Sequence, residues 1–138
     1  MVVIIIIGLI AALAIPTILH ARASAQNARF ISDLRQARAV FENYALQNGN
    51  YPPATAPGAI ITGMEQELGN LKWTEPTAVG GTWTWTYNGS GVIAAVGVSS
   101  PTASASQMAE IDARIDDGNL SSGLFRSGGG GYMFVIEE

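Results

Sequence analysis

The sequence predicts an α+β fold in which a long N-terminal helix, apolar over its first half and amphipathic over its second, packs on a small antiparallel sheet. Three observations predict it. The chain opens with MVVIIIIGLIAALAIPTIL, which holds no charged or titratable side chain. From Ala23 onward the apolar residues fall in one stripe of helical period. Beyond Pro53 come two β-prone runs in tandem, TWTWTY and VIAAVGV, and a third, YMFVI, near the C-terminus. With 138 residues there is room for one domain, divided here into an apolar helix half (1–21), an amphipathic helix half (22–50) and an α+β head (51–138).

At about 1.5 Å per residue, a helix of about 20 residues spans the hydrocarbon of a bilayer, and Met1 to Leu19 fits that length. On the residues alone three readings stay open: a secretion signal, a membrane anchor, or a helix buried in two environments in turn. A signal peptide carries a basic segment before a shorter apolar stretch and a small-residue cleavage site. Ala21-Arg22-Ala23 looks like such a site, but no basic residue precedes the run. Gly8 and Pro16 interrupt it. Pro16 removes a backbone donor and crowds the carbonyl one turn earlier, and Gly8 weakens a helix by about 1 kcal/mol, so both mark a kink.

The continuation ASAQNARFISDLRQARAVFENYALQNG places Ala23, Phe30, Leu34, Ala37, Phe41 and Tyr44 on one face, with Ile31, Val40 and Ala45 beside them. Arg29–Asp33 and Arg38–Glu42 are i, i+4 pairs, each contributing a few tenths of a kcal/mol. Asn48-Gly49-Asn50 stops the helix and Pro52-Pro53 forbids its return. Only Pro16 separates the two halves, which predicts one helix of almost 50 residues. Its first half needs apolar cover on every side, its second on one side only. Burying a large apolar side chain is worth about 1.5–3 kcal/mol, so the first half belongs in lipid or among equivalent segments of neighbouring copies.

Tyr51 to Ile61 is a Pro- and Ala-rich connector. TGMEQELG predicts a short helix with Thr62 as N-cap and Glu65 closing a capping box. TWTWTYNGSGVIAAVGVSS predicts a hairpin turning at Asn88-Gly89, with Trp83, Trp85 and Tyr87 on one face of its first strand. Val92 to Val98 is apolar on both faces, as a central strand is. SASQMAEIDARIDDGN predicts a second short helix with Met108, Ile111 and Ile115 on one side and Gly118 as its stop. Tyr132 to Ile136 predicts the last strand. An antiparallel sheet of these strands would pack on the amphipathic helix half.

The net charge of −4 is unevenly divided: residues 1–50 carry +2 and residues 51–138 carry −6. An acidic outer half without a basic patch argues against nucleic acid as the main partner. No cysteine is present, so disulfides and thiolate metal sites are excluded. His20 is the only histidine, alone among alanines at the shoulder of the apolar run, and no G-x-S-x-G elbow surrounds any serine. No catalytic set emerges, and the chain reads as non-enzymatic. The Gly128–Gly131 run lacks the Lys-Ser/Thr of a phosphate loop. Asp112, Asp116, Asp117 and Asn119 offer hard oxygen ligands of the kind calcium takes, although their spacing is not that of an EF-hand and DDGN is also ordinary turn chemistry. The aromatic row Trp83, Trp85, Tyr87 could stack on sugars if exposed. Large aromatics on one strand face are more often core, here covering Phe30, Leu34 and Phe41.

MVVIIIIGLIAALAIP resembles the N-terminal signature of type IV pilins and of the pseudopilins of type II secretion, in which a short apolar stretch with Gly ends in A-I-P. The likeness covers Met1 to Pro16, and FENYALQNGNYPP is similar to the pseudopilin continuation; the rest of the chain is similar only in general pattern. The match starts after the F-T-L-I-E that opens the family's segment, so the family's glutamate, which pairs with a neighbouring subunit's terminal amine, is carried to no residue here. Taken alone, Arg22 and Arg29 would hold the C-terminal side in the cytoplasm, whereas the resemblance implies a head outside it.

The resemblance implies a structural subunit that polymerises into a helical filament of its own copies. Val2, Val3, Ile4, Ile5, Ile6, Ile7, Leu9, Ile10, Leu13 and Ile15 would form the filament core. Gly8 and Pro16 would bound a stretch that unwinds when the subunit leaves lipid. Arg22, Arg29, Arg35 and Arg38 would set register against the acidic heads of other copies. The subunit pool would lie in the cytoplasmic membrane, served by an assembly platform and a motor, and the filament would stand at the cell surface. The alternative within the family is a major pseudopilin, periplasmic and with a calcium site in its C-terminal region. A signal-cleaved, secreted carbohydrate-binding module is the alternative outside it.

Overall fold

A computed structural model of the chain describes residues 2–138, with Val2 and residues 13–17 described in backbone alone. The expected long helix is α1, Val2–Asn48, followed by α2 (Glu65–Asn70), β1 (Thr82–Gly89), β2 (Val92–Ser99), α3 (Ala105–Ile115), β3 (Phe125–Gly128) and β4 (Gly131–Glu137). The fold is α+β. All strand pairs are antiparallel, in the order β1-β2-β4-β3. The β2 strand is therefore interior, as its two-sided apolar sequence requires.

The amphipathic stripe of α1 makes the core. Phe30, Ile31, Leu34, Ala37 and Phe41 are buried against Trp83, Trp85, Val96, Val98, Phe125 and Phe134 of the sheet. Alternation along β1 sends both tryptophans inward, where Trp83 stacks on Phe30 (5.8 Å between centroids) and Trp85 lies parallel on Phe41 (3.8 Å, 3°). Trp73, from the loop after α2, stacks on Trp83 at 5.5 Å and donates its indole N–H to the Ala59 carbonyl. Both Trp83 and Trp85 are nearly inaccessible and belong to the core, whereas Tyr87 is half-buried at its edge. Ala95, Met133 and Val135, with Val92, form a smaller cluster apart from it.

Local chemistry moved two expected features. The hairpin reverses at Ser90-Gly91, because Tyr87 pairs with Ala94 and Gly89 with Val92. Both turn residues have positive φ (55° and 78°), as a tight two-residue hairpin loop of type I′ demands. Thr62 does not cap α2. Met64 stands at the cap position without a side-chain bond, and the Glu65 carboxylate reaches back to accept from the Gly63 N–H at 3.0 Å. The β3 strand was not anticipated. Where α1 ends, Gly49 takes φ +79° and its N–H closes on the Ala45 carbonyl.

Candidate functional site

Two features stand apart from the packed domain: the first half of α1 and an acidic cluster at the end of α3. Val3, Ile4, Ile5, Ile6, Ile7, Leu9 and Ile10 are each between 51% and 74% exposed, and Ile18 and Leu19 are exposed as well. Among the described residues nothing covers them. Of the expected core-forming residues, the side chains of Val2, Leu13 and Ile15 lie outside the described residues, as does that of Pro16. The α1 backbone runs as α-helix through Gly8 to Pro16 in this single chain, and a methyl group at Gly8 would meet no neighbour. Among the described residues no helix is long and apolar enough to cross a membrane.

The arginines divide. Arg22, Arg29 and Arg35 are exposed. Arg38 is engaged within its own chain, donating to Glu42 at 2.8 Å and lying over the Phe134 ring at 5.4 Å. The expected Arg29–Asp33 ion pair does not close; among the described residues the ion pairs are Arg38–Glu42 and Arg126–Glu138. Asp33 is half-buried, and desolvation raises its pKa while the nearby Arg29 charge pulls the other way. His20 is exposed.

The acidic cluster is built by the way α3 stops. Ser104 caps the helix, accepting from the Gln107 N–H. Met108, Ile111 and Asp112 then fall on the buried face. Asp116, one turn after Asp112, donates its backbone N–H to the Asp112 carbonyl and leaves helical geometry, and Gly118 (φ +79°) turns the chain. Asp116 Oδ2 accepts from the Leu124 N–H at 2.5 Å. Asp117 accepts from the Asn119 N–H and the Ser122 hydroxyl. One oxygen from each of Asp112, Asp116 and Asp117 lies within 4.8 Å of the others. The Asn119 side-chain oxygen accepts from the Ser121 N–H at 3.1 Å.

Asp112 is fully buried, and neither of its carboxylate oxygens has a hydrogen-bond partner. Burial, and then the charges of Asp117 and Asp116, push its pKa up to about 6. Asp117 is lowered, chiefly by the Asn119 N–H. A buried, unpartnered carboxylate facing two others fits a hard cation, since oxygens bound at about 2.3–2.6 Å to one calcium ion stand up to about 5 Å apart. Asp112, Asp116 and Asp117 would hold such an ion.

A polar clasp near the exposed apolar half of α1, the rod of the molecule, was not foreseen. Asn27 is fully buried in the α1 stripe. Its oxygen accepts from Gln107 at 2.8 Å, and its nitrogen donates to Glu110 at 3.4 Å. Arg114 donates to the Ser24 hydroxyl at 3.2 Å. These bonds tie α3 to α1 just beyond the exposed apolar segment. Asn27 lies between Ala23 and Phe30 in the predicted stripe, so its inward position was readable from spacing, although its partners were not.

No family model, curated protein or solved structure matches the chain.

Proposed function

We propose that this chain is a structural subunit that polymerises into a type IV pilus-like filament through the apolar half of α1. The observation that carries the proposal is a single helix in which residues 27–41 are clamped onto a sheet while the large aliphatic side chains of Val3–Ile10 stand uncovered. An all-round apolar helix requires an apolar surrounding, which lipid supplies before assembly and equivalent helices of other copies supply after it. The N-terminal likeness to pilins and pseudopilins supplies the class of assembly. Membrane insertion, the platform and the motor belong to the same proposal, as does a role without catalysis.

The reading as a major pseudopilin is favoured by one observation of its own: the acidic cluster with a buried, unpartnered Asp112, which suits the calcium site that the resemblance implies. Calcium that raises the melting temperature at neutral pH, with chelator reversing it, supports that reading; an unchanged melting curve removes it.

The assembly itself is tested with Ile6→Asp and Ile10→Asp, expressed in a bacterial membrane with the assembly machinery of a type IV pilus. Wild-type chain is expected in filaments, seen by electron microscopy of sheared material and identified by subunit mass, and both variants are expected to be absent from them. Intact chain that stays monomeric in detergent-free buffer with its apolar half attached overturns the proposal.

A further inference from the structure

A second uncovered apolar surface lies at the far end of α1 from the rod. Leu46 is 83% exposed and Ile93, on β2 beside the hairpin turn, is also exposed. With Tyr51 and Tyr87 they line a groove of about 510 Å³ that also carries Glu42 and Glu137. Glu42 is bonded to Arg38, whereas Glu137 has no ion-pair partner among the described residues. Both charged residues lining the groove are carboxylates; burial first, then the charges of Glu137 and Glu42, raise the Tyr51 phenol, while the Arg38 charge pulls the other way.

The complementary surface is on α1. Ile18 and Leu19 are exposed, and Arg22 follows four and three residues later, which puts all three on one side of the helix. Arg22 is exposed and has no ion-pair partner among the described residues. This shoulder offers an apolar pair with a cation one turn on; the groove offers an apolar floor with a carboxylate at its edge. On one chain the two sites are 27 residues apart along a continuous helix, about 40 Å at 1.5 Å per residue. A chain cannot fill its own groove.

We infer that the groove of Leu46, Ile93, Tyr87 and Glu137 receives the Ile18–Leu19–Arg22 shoulder of a second copy, so that successive copies dock with their helices offset by about 40 Å. The inference rests on the filament reading and adds to it the head surface that meets the shoulder and the register at which it does so. Complementary charge then favours this docking over a head meeting a head, because Glu137 opposed to another acidic head is repelled.

The chain has no cysteine, so introduced pairs report contacts without background. In membranes where the full-length chain assembles, Leu19→Cys combined with Leu46→Cys is expected to give a ladder of dimers, trimers and higher multimers on oxidation. Each single variant is expected to give none. Glu137→Arg added to the pair is expected to lower the cross-link yield about tenfold, and Arg22→Glu added to that to restore it. Leu19 and Leu46 are both exposed, so neither change disturbs the core. Assemblies that form without a ladder overturn this inference and leave the filament reading standing. A dimer formed by the Leu46→Cys single variant, or an adduct of that variant with a different protein, overturns it too. Failure of the unmodified chain to assemble removes the filament reading, and this inference with it.

Discussion

Asp112 is the residue whose environment departs furthest from its chemistry. Its buried carboxyl titrates at about 6, against an ordinary value of 3.8. Because the folded value is the higher one, the stability contributed by the protonated form is complete below about pH 4 and is lost as pH rises through 6. Without a divalent cation, the chain is therefore expected to melt at a lower temperature at pH 8 than at pH 5 on account of this group. Asp112→Asn is expected to flatten that slope and to stabilise the cation-free chain at pH 8 by about 1–3 kcal/mol, measured by urea denaturation at the two pH values. Calcium is expected to help the wild type at pH 8 and to do little at pH 5, where the ligand is protonated. An unchanged slope in Asp112→Asn would place the pH dependence elsewhere. Phe41 is the apolar counterpart: it lies flat on Trp85 and is fully buried. Phe41→Ala is expected to cost about 3–5 kcal/mol, read from the denaturant midpoint.

Between α1 and α3 the clasp of Asn27, Gln107 and Glu110 fixes one element on the other. Asn27→Ala leaves the Gln107 amide and the Glu110 carboxylate without their inward partner, at a cost of about 1–3 kcal/mol. Hydrogen exchange is expected to quicken in α3 first and to spare β1 and β2; uniform loss of protection would show the clasp to be no more than general packing. The elements differ in how much of them could be read from sequence. Trp83 and Trp85 are two residues apart between threonines, so period two revealed both the strand and its buried face. The α1 stripe was as clear, and Asp112 occupies the same stripe as Met108 and Ile111, which marks it for burial. The β3 strand, FRSG, is four residues without alternation, and its pairing with β4 is the only thing that makes it a strand. The hairpin turn moved to Ser90-Gly91 because cross-strand register, set by pairs such as Trp85–Val96, outranks a locally strong Asn-Gly. Likewise, three carboxylates could be counted from the sequence, but only the fold shows that an oxygen of each lies within 4.8 Å of the others.

Across the whole molecule, charge and apolar surface are separated along one axis. The apolar rod comes first, exposed arginines at 22, 29 and 35 follow, and the head carries the excess of carboxylates. The two kinds of surface answer to salt in opposite ways. Attraction between exposed charges is screened over about 10 Å at 0.1 M salt and about 3 Å at 1 M, whereas burial of aliphatic surface is not weakened by screening. If copies associate through both, raising sodium chloride from 0.05 to 1 M is expected to slow the growth of assemblies from detergent-solubilised chain about tenfold, while assemblies already formed persist. Light scattering after detergent dilution measures the first, and sedimentation of preformed material measures the second. Arg35→Glu puts a like charge before the acidic heads, so its growth is expected to be slow at low salt and to quicken as salt rises. Growth of the wild type and of Arg35→Glu that responds to salt in the same direction would mean that the arginine face of α1 meets solvent in the assembly and that the rods alone bring copies together.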